Sequence, residues 1–383
     1  MANLKSFASA ALLLALSGLA RADLSVIIVV EPTSRQDAFL LPRASLESSL
    51  GKALGQTVAV SVTEDLADAM RATRSGGYDV FVAPAQVAAS ALARGYELVG
   101  STDKSEHFVL VGKRSLAATG ALRGARIYLP QQDSIYTYMA RGMLNAGGLS
   151  FKDLRNVQYE RYPQAGLVAV SLGATDATVI RASDWEEYAR DNPGIGRALA
   201  TSGSVPGGFS VVIKKELAPD LRSKAAKWFQ NPGNVNGSKP AGIRAELAEY
   251  KAIAELGTFT PTSLPGAKLV TAREVQQLVA QGAVIVDTRT EKEYKTKRVA
   301  HAVFAPYHEK SLKDVAFDMT QDDFAALDKL DKSKPTIFSC NGAECWKSYK
   351  ASKAAGAHGF TQVYWFRGGL PEWEEAGLAV DKN

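Results

Sequence analysis

Short apolar segments alternate with helical segments along most of the chain, and this alternation restricts the folds open to it. Up to residue 256, the strand-like segments are 24–30, 58–62, 79–82, 108–111, 126–129, 157–159, 178–180 and 209–213. Helical segments lie between most of them, the clearest being 66–74, 134–146 and 166–172. Repeated strand–helix units favour parallel strands with helices on both faces of the sheet. The sequence therefore predicts an α/β fold with mostly parallel sheets.

One segment interrupts this pattern and marks a domain boundary. Residues 257–267 are rich in Pro, Gly and Thr and follow neither a helical nor a strand period, which indicates a linker that permits independent motion. The upstream domain, 23–256, is too long for one sheet. We divide it into two lobes, about 23–111 plus 205–256 and 112–204. A cleft between two such lobes would bind a small solute at the carboxyl ends of the strands.

The amino-terminal residues follow the pattern of a signal peptide. Lys5 supplies a short basic region, residues 8–19 are apolar, and Ala20-Arg21-Ala22 is a small-x-small cleavage site. The apolar stretch is short for a membrane span. We therefore expect residues 1–22 to be removed and the mature protein to be periplasmic or secreted, with no stable membrane insertion. An uncleaved anchor and a first core helix are the alternative interpretations.

The charge distribution argues against nucleic acid as a partner. The chain contains 45 Lys and Arg and 40 Asp and Glu, a net charge of +5. Removal of Lys5 and Arg21 with residues 1–22, which contain no acid, leaves 43 basic and 40 acidic residues, or +3. The basic residues are interspersed with acids, whereas nucleic acid binding calls for a concentrated basic face.

Both cysteines lie in one short segment downstream of the linker. Cys340 follows the apolar strand-like segment 336–339, and a helical segment begins at Trp346. The loop consists of Cys340, Asn341, Gly342, Ala343, Glu344, Cys345, Trp346 and Lys347. Backbone N–H groups of such a loop and the positive end of the helix stabilise a thiolate, and Gly342 permits the tight turn that this needs. Catalysis, a structural disulfide and a buried pair of inert thiols all fit this spacing.

Three segments of the upstream domain carry a family pattern. Two belong to the first lobe, Leu50-Gly51-Lys52-Ala53-Leu54-Gly55 and Gly77-Tyr78-Asp79-Val80-Phe81, and the third is 171–179 in the second lobe. Together they resemble exported solute-binding proteins of the phosphate/phosphonate type, over about residues 24–250. The resemblance implies a two-lobed periplasmic-binding-protein-like fold that binds a small, anionic solute.

The resemblance also implies where the solute binds. In the oxyanion-binding branch, hydroxyl and N–H groups at the start of the second-lobe helix hold the anion. The matching candidates in this sequence are Ser134, Thr137, Tyr136 and, as a cationic anchor, Arg181. A surface or interlobe salt bridge for Arg181 and core packing for Tyr136 are the alternatives. We expect Asp133, which would repel an anion in the cleft, to be the N-cap of the helix.

The part of the chain from residue 268 onwards contains an ordered set of motifs. The set is Asp287-Thr288-Arg289 after an apolar strand, Glu293, Cys340, and Arg367-Gly368-Gly369 followed by Trp373 and Gly377. This order resembles a rhodanese over about residues 268–380, and the loop with a second cysteine and a Trp resembles a subgroup of that family. The resemblance implies an α/β domain, 268–383, with a central parallel sheet. One departure from the family pattern is the segment 297–302, which lacks the two glycines usual in the family. His301 stands at the position of the second glycine.

The rhodanese resemblance implies sulfur transfer without a cofactor. Cys340 takes the place of the nucleophile that removes sulfane sulfur from a small-molecule donor such as thiosulfate and passes it, as a persulfide, to a thiol acceptor. The amides of residues 341–346 would surround the sulfur, and Lys347 would supply positive charge where many relatives have Arg. Asp287 and Arg289 would form a structural ion pair or orient the loop. The four histidines do not stand at metal-ligand spacing with the cysteines, so we expect no metal site.

Cys345 leaves the function open. It would resolve a persulfide on Cys340 by forming a disulfide, or it would be a small buried residue that faces the helix. The first expectation is an exported sulfurtransferase. The alternatives are a solute-binding protein with a non-catalytic rhodanese module that docks or senses, and a Cys340/Cys345 thiol–disulfide redox protein. A protein partner in the export compartment also stays open.

Overall fold

The computed structural model describes residues 24–31, 43–231, 246–257 and 259–382. The predicted signal peptide lies outside these ranges. Up to residue 256 the elements are β1 (Leu24–Val29), α1 (Arg43–Leu54), β2 (Val58–Thr63), α2 (Leu66–Ser75), β3 (Val80–Ala83), α3 (Ala85–Leu92), β4 (Tyr96–Glu106), β5 (Phe108–Lys113), β6 (Arg126–Pro130), α4 (Ile135–Ala146), β7 (Asn156–Glu160), α5 (Gln164–Ser171), β8 (Ala177–Arg181), α6 (Ala182–Asp191), β9 (Gly196–Thr201), β10 (Val205–Lys214), α7 (Pro219–Gln230) and α8 (Leu247–Glu255). The later elements are β11 (Lys268–Leu269), α9 (Ala272–Ala280), β12 (Val284–Asp287), α10 (Glu291–Thr296), β13 (Arg298–Val299), β14 (Val303–Phe304), β15 (Thr336–Ser339), α11 (Trp346–Ala357), β16 (Val363–Phe366), α12 (Gly369–Glu375) and β17 (Val380–Asp381). Within the described ranges, no helix is both long and apolar enough to cross a membrane.

Two five-stranded sheets form the upstream part, one in each lobe. The strand order is β2-β1-β3-β10-β4 in the first sheet and β7-β6-β8-β5-β9 in the second. In each sheet all strands but one point the same way, and the exception, β10 or β5, runs antiparallel to its neighbours. The predicted α/β class with mostly parallel strands is confirmed. The chain passes from the first sheet to the second between β4 and β5 and returns between β9 and β10.

Buried apolar side chains explain why these segments form strands. Strand β1 has the sequence LSVIIV and is buried except at its second residue, and β3, with the sequence VFVA, is buried throughout. Strands that are buried on both faces are typical of sheets covered by helices on either side. One hydrophobic cluster runs from Ile27 and Phe81 in the first sheet to Phe108 and Ile180 in the second. The two lobes therefore share a core.

A third five-stranded sheet, ordered β11-β16-β15-β12-β14, forms the downstream domain, and every strand pair in it is parallel. The central parallel sheet predicted from the sequence is confirmed. Helix α9 begins with a capping box, in which the Thr271 hydroxyl accepts the N–H of Glu274 and the Glu274 carboxylate accepts the N–H of Thr271 at 2.8 Å. Strand β15 is the middle strand, so the loop that begins at Cys340 leaves from the centre of the sheet's carboxyl edge.

The linker packs against the downstream domain, although its composition indicates a flexible connection. Thr260 is 3% exposed and Leu264 is 5% exposed. Leu264 belongs to a buried cluster with Trp346, Tyr349 and Trp365. Pro and Gly remove the helical and strand periods from such a segment, but two buried side chains are enough to hold it in place. The described residues of the linker are thus packed on the downstream domain, and its bounds stay a prediction.

His301 has a backbone conformation that favours glycine. Its φ of 64° is the only positive φ of a non-glycine residue in the described ranges. A left-handed conformation costs an L-residue about 1–2 kcal/mol, and replacement by glycine removes this cost. Glycine also increases the entropy of the unfolded chain, which offsets part of the gain in stability. We expect His301→Gly to raise the free energy of unfolding by up to about 1 kcal/mol, as measured by urea denaturation.

The matched control for this change is Ala300→Gly, at the neighbouring residue, which has no positive φ. This control should lower the free energy of unfolding by about 0.5–1 kcal/mol. Equal losses of stability in the two variants would contradict the assignment of strain to His301.

Candidate functional site

The cysteine loop closes against helix α12. Cys340 follows β15, and its carbonyl accepts the N–H of Leu370 at 3.0 Å. Gly342 turns the loop with a φ of 93°, and the N–H of Cys345 donates to the Gly342 carbonyl at 2.9 Å. A Cβ atom on Gly369 would lie 2.1 Å from the Cys340 carbonyl oxygen. The close approach of α12 to the loop therefore requires glycine at position 369.

The side chain of Asn341 is held from two sides by buried groups. Arg289 Nη1 donates to Asn341 Oδ1 at 2.9 Å, and Asn341 Nδ2 donates to Glu293 Oε1 at 2.6 Å. Arg289 also forms an ion pair with Asp287, at 2.6 Å between Nη2 and Oδ2. Burial favours the neutral form of Glu293, but hydrogen bonds from Thr290 and the charge of Arg289 hold the pKa of this carboxyl below its usual value. The Asp287–Arg289 pair is thus a structural ion pair that also orients the loop through Asn341.

Cys340 and Cys345 form a disulfide across the loop, with their Cα atoms 6.1 Å apart. Both residues are buried. Cys345 is the N-cap of α11, so the second cysteine stands at the positive end of the helix. A disulfide contains no nucleophilic thiolate, and sulfur chemistry at this loop therefore begins with reduction.

The outer side of the loop is held by the linker and by the first lobe. The N–H and the hydroxyl of Thr260 both donate to the Ala343 carbonyl, at 2.8 and 2.7 Å. Arg367 in turn donates to the Thr260 hydroxyl at 3.2 Å and to its carbonyl at 2.8 Å. Glu344 forms an ion pair with Arg94, which follows helix α3. The loop therefore contacts the linker and the first lobe as well as its own domain.

A cavity of about 460 Å³ lies in front of the cysteine loop, between the upstream and downstream domains. Its walls include Arg71 and Arg74 on α2, residues 131–133 of the second lobe, and the downstream segments 308–311 and 344–347. Cys345, Trp346 and Lys347 line it, and the Trp346 ring also packs against Tyr349. The loop therefore opens on a space that both lobes border.

Asp133 is not the N-cap of α4, and this expectation is wrong. The N-cap is Ser134, whose hydroxyl accepts the N–H of Thr137 at 3.2 Å. Asp133 is buried and accepts two hydrogen bonds from Lys313 Nζ, at 2.7 and 2.9 Å. Burial alone would raise the pKa of Asp133, but the charge of Lys313 holds it below its usual value. The Asp133 carboxylate is bound by Lys313, 180 positions away in the sequence, and the adjacent Ser134 caps the helix instead.

The hydroxyl groups predicted to bind a solute have partners inside the protein. The Ser134 hydroxyl donates to the Pro130 carbonyl at 2.7 Å, and the Thr137 hydroxyl donates to the Gln131 carbonyl at 2.9 Å. Both side chains are fully buried. Their oxygen atoms can still accept hydrogen bonds, but their hydroxyl hydrogens are already donated within the protein. Their role as donors to an anion stays a prediction.

The other two predicted solute residues lie close together near the lobe interface. Arg181 forms an ion pair with Glu106 of the first lobe at 3.3 Å, which is the interlobe alternative for this residue. Tyr136 packs edge-on against Phe108, and its buried hydroxyl has no hydrogen-bond partner among the described residues. Burial raises the pKa of Tyr136, although the charge of Arg181 acts in the opposite direction. The binding role of both residues stays a prediction.

The start of α4 already carries a carboxylate from the first lobe. Glu31 Oε1 accepts the N–H of Ile135 at 2.8 Å and a hydrogen bond from the Gln86 amide at 3.3 Å. The family resemblance places the solute anion at this helix start. Burial raises the pKa of Glu31 to about 7, although the Ile135 N–H and the charge of Arg181 oppose this shift. The charge at the predicted solute position therefore changes near neutral pH.

Glu31→Gln tests the charge of this carboxyl. Between the ordinary pKa of 4.5 and the folded-state value of about 7, only the folded protein holds the proton. The stability that protonation contributes is therefore complete below 4.5 and is lost as the pH rises to about 7. From about pH 5 to about pH 8, we expect the wild-type free energy of unfolding to fall by about 2 kcal/mol relative to Glu31→Gln. Chemical denaturation at the two pH values measures this difference.

The control for the pH dependence is Glu186→Gln, which changes an exposed carboxyl on α6. It should follow the wild type at both pH values. Parallel pH profiles for the wild type and Glu31→Gln would contradict protonation of Glu31 in the folded state.

Sequence analysis did not single out the residues that join the two domains at this site. Arg71, Arg74 and Arg94 have no local feature that separates them from the solvated face of an amphipathic helix. Lys313 lies in a segment without a helical or strand period. Glu31 does have such a feature, because a carboxylate directly after a buried parallel strand lies at the edge where ligands bind in α/β sheets.

Two family models match the chain. The model described as "ABC transporter, phosphonate, periplasmic substrate-binding protein" matches residues 28–245, which is more than half of the chain. The model described as "Rhodanese-like domain" matches residues 271–376. Both resemblances inferred from the motifs are confirmed. A comparison with curated proteins found no match.

Several solved structures are similar to part of the chain. PhnD1 from Prochlorococcus marinus, in complex with methylphosphonate, has 18% identity and a TM-score of 0.46, covering 61% of this chain and 97% of that one. XAC2383 from Xanthomonas citri, bound to ATP, has 12% identity and a TM-score of 0.49, with coverages of 61% and 94%. A binding protein component of an ABC phosphonate transporter from Pseudomonas aeruginosa has 13% identity and a TM-score of 0.40, with coverages of 56% and 76%. Similarity at this level carries no inference about the solute of this chain.

Proposed function

Because the chain belongs to the family of periplasmic substrate-binding proteins of phosphonate ABC transporters and carries a rhodanese-like domain, we propose that it is an exported sulfurtransferase. Cys340 carries sulfane sulfur as a persulfide, and the upstream domain binds a small anion. The observation that carries this proposal is the rigid support directly beside Cys340, where Arg289 and Glu293 fix the Asn341 side chain. A sulfur that attacks a donor and is regenerated as a thiolate in every cycle needs neighbouring groups that keep their positions.

The sulfur-transfer reaction begins with the reduced loop. The Cys340 thiolate attacks the outer sulfur of a donor such as thiosulfate, and a new S–S bond forms. The bond between the two donor sulfurs breaks, and sulfite leaves with its electron pair. A thiol acceptor then takes the outer sulfur and frees the thiolate. The amino-terminal end of α11 and the charge of Lys347 stabilise the negative charge at the loop.

Cys345 provides a second exit for the sulfur. Its thiol attacks the inner sulfur of the Cys340 persulfide, hydrosulfide leaves, and the Cys340–Cys345 disulfide forms. This step would yield the same Cys340–Cys345 disulfide that the structure contains, which supports the proposal. A dithiol reductant must then supply two electrons and two protons before the next cycle. The second cysteine thus couples sulfur release to reduction of the loop.

The solute of the upstream domain is a small anion in this proposal. The start of α4, the charge of Arg181 and the unpartnered Tyr136 hydroxyl support it. The carboxyl group of Glu31 occupies the same helix start, and its pKa of about 7 makes it neutral at lower pH. An anion should therefore bind more tightly below that pH than above it. Export rests on the family, whose description is periplasmic, and on the pattern of residues 1–22.

A thiol–disulfide redox protein is the second candidate function, and the Cys340–Cys345 disulfide favours it. In this role the pair exchanges two electrons and two protons with a substrate dithiol or disulfide, and no sulfane sulfur is involved. Cys345 at the N-cap of α11 is the cysteine whose thiolate the helix would stabilise.

Intact-mass measurement distinguishes the two candidates. The protein is reduced, freed of reductant and incubated with thiosulfate. We expect one added sulfur atom on the wild type, accumulation of the adduct in Cys345→Ser because resolution is blocked, and no adduct in Cys340→Ser. Sulfur transfer to a thiol acceptor should fall by at least about a thousandfold in Cys340→Ser, because the nucleophile is lost.

The same experiment has a clear contrary result. A Cys345→Ser variant that gains no sulfur from thiosulfate, together with a wild-type protein that loses the mass of two hydrogens on reaction with a disulfide, would replace the sulfurtransferase with the redox protein. An adduct that survives in Cys340→Ser and disappears in Cys345→Ser would move the nucleophile to Cys345.

A further inference from the structure

Two arginines of the upstream domain face the cysteine loop of the downstream domain. Arg71 and Arg74 lie three residues apart on α2, so they are neighbours on the helix surface, and both line the cavity in front of the loop. The helix is fixed at both ends, because the Asp65 carboxylate accepts the Asp68 N–H at 2.8 Å and Gly76 caps the last turn with a φ of 63°. The two guanidinium groups therefore occupy a defined part of the cavity wall.

Arg74 has no bonding partner in the described part of the chain. Its Nε is buried without a hydrogen-bond acceptor, and no described residue forms a hydrogen bond or an ion pair with the side chain. Nε of Arg71 is also buried and unpartnered, while its Nη2 pairs with Asp68 at 3.1 Å. Burial lowers the pKa of Arg74, and the charge of Glu344 only partly opposes this. The Arg74 side chain as a whole is half-buried, but a buried Nε–H without an acceptor is costly unless a ligand accepts its hydrogen bond.

Lys347 brings a third positive charge to the same cavity from the cysteine loop. Its side chain is 8% exposed and forms no hydrogen bond or ion pair with the described residues. Burial lowers the pKa of its ammonium group, and so do the charges of Arg71 and Arg74, whereas the charge of Glu293 raises it. The three cations are therefore close enough to act on one another.

The acidic residues of the cavity wall are already engaged. Asp133 pairs with Lys313, Glu344 with Arg94 and Glu309 with Lys350, and Asp65 caps α2. None of these carboxylates compensates Arg74 or Lys347 through a direct bond among the described residues. The unpaired charge of the cavity is therefore positive.

We propose that Arg71, Arg74 and Lys347 form one composite anion site, which holds the sulfur donor as a small, doubly charged oxyanion with a terminal sulfane sulfur. This assignment rests on the proposed sulfurtransferase function. Lysine supplies charge but no planar fork of donors, and the two arginines supply such forks from the other domain. A cavity of about 460 Å³ has room for an oxyanion of this size. Cys345, which is bonded to Cys340, lines the same cavity, and in this proposal the upstream domain completes the active site of the downstream domain.

Arg74→Gln in the full-length, reduced protein tests the composite site. Sulfate, an unreactive dianion, serves as the binding probe in calorimetry, and thiosulfate serves as the donor in turnover. At low ionic strength, we expect the Kd for sulfate and the KM for thiosulfate to rise at least about tenfold, which corresponds to about 1.4 kcal/mol. The kcat should change much less, because Arg74 binds the donor and does not react with it.

Three further variants make the test specific. Arg74→Lys keeps the charge and should recover part of the binding. Lys347→Gln, in the other domain, should weaken the same binding event, and the double variant Arg74→Gln/Lys347→Gln should lose less than the sum of the two single changes. Arg190→Gln removes an exposed arginine on α6 that does not line the cavity, and it should behave as the wild type.

The outcomes separate this inference from the function on which it rests. Unchanged sulfate and thiosulfate constants in Arg74→Gln and Arg71→Gln, in proteins that still form the persulfide, would overturn the composite site and leave the sulfurtransferase in place. A wild type that forms no persulfide would overturn the donor assignment together with the proposed function. Thermal unfolding checks that each variant is folded. If Arg74→Gln does not fold, Arg71→Gln is used in its place.

Discussion

The buried hydrogen-bonded chain from Asp287 through Arg289 and Asn341 to Glu293 is the interaction on which the downstream site depends. It ties the residue after Cys340 to the end of β12 and to the first turn of α10. Removal of one charged member would leave another unpaired in the interior, at a cost of about 3–5 kcal/mol. None of these bonds involves a sulfur atom. The loop therefore keeps this support when its disulfide is opened or when a sulfur is added.

The downstream domain is bonded to both lobes of the upstream domain. Arg94 of the first lobe pairs with Glu344, and Asp133 of the second lobe pairs with Lys313. Both pairs are at least partly buried, so water and salt screen them less than exposed pairs. A motion that separates the lobes must break one of these pairs or carry the downstream domain with one lobe. The relative position of the two lobes is thus coupled to the surroundings of the cysteine loop.

Local sequence patterns predicted the secondary-structure elements and the cysteine loop. The roles that those patterns could not predict depend on partners distant in the sequence. Strand β1 and the Thr271 capping box follow from side chains within a few residues of one another, which is why the sequence alone locates them. Asp133 has the local features of an N-cap, but its partner lies in another domain. Arg71 and Arg74 have the spacing of an ordinary solvent-exposed helix face. That face lines a cavity only because the downstream domain packs opposite it.

The hydrogen bonds of Thr260 support the cysteine loop from outside the domain that bears the cysteines. This residue precedes the rhodanese match, yet it provides both donors to the Ala343 carbonyl and the acceptors for Arg367. A rhodanese unit cut at residue 268 would keep every motif of its family and lose this brace. The length of the linker therefore decides the position of this brace as well as the connection of the domains, since one inserted residue would shift the brace by about 3.5 Å.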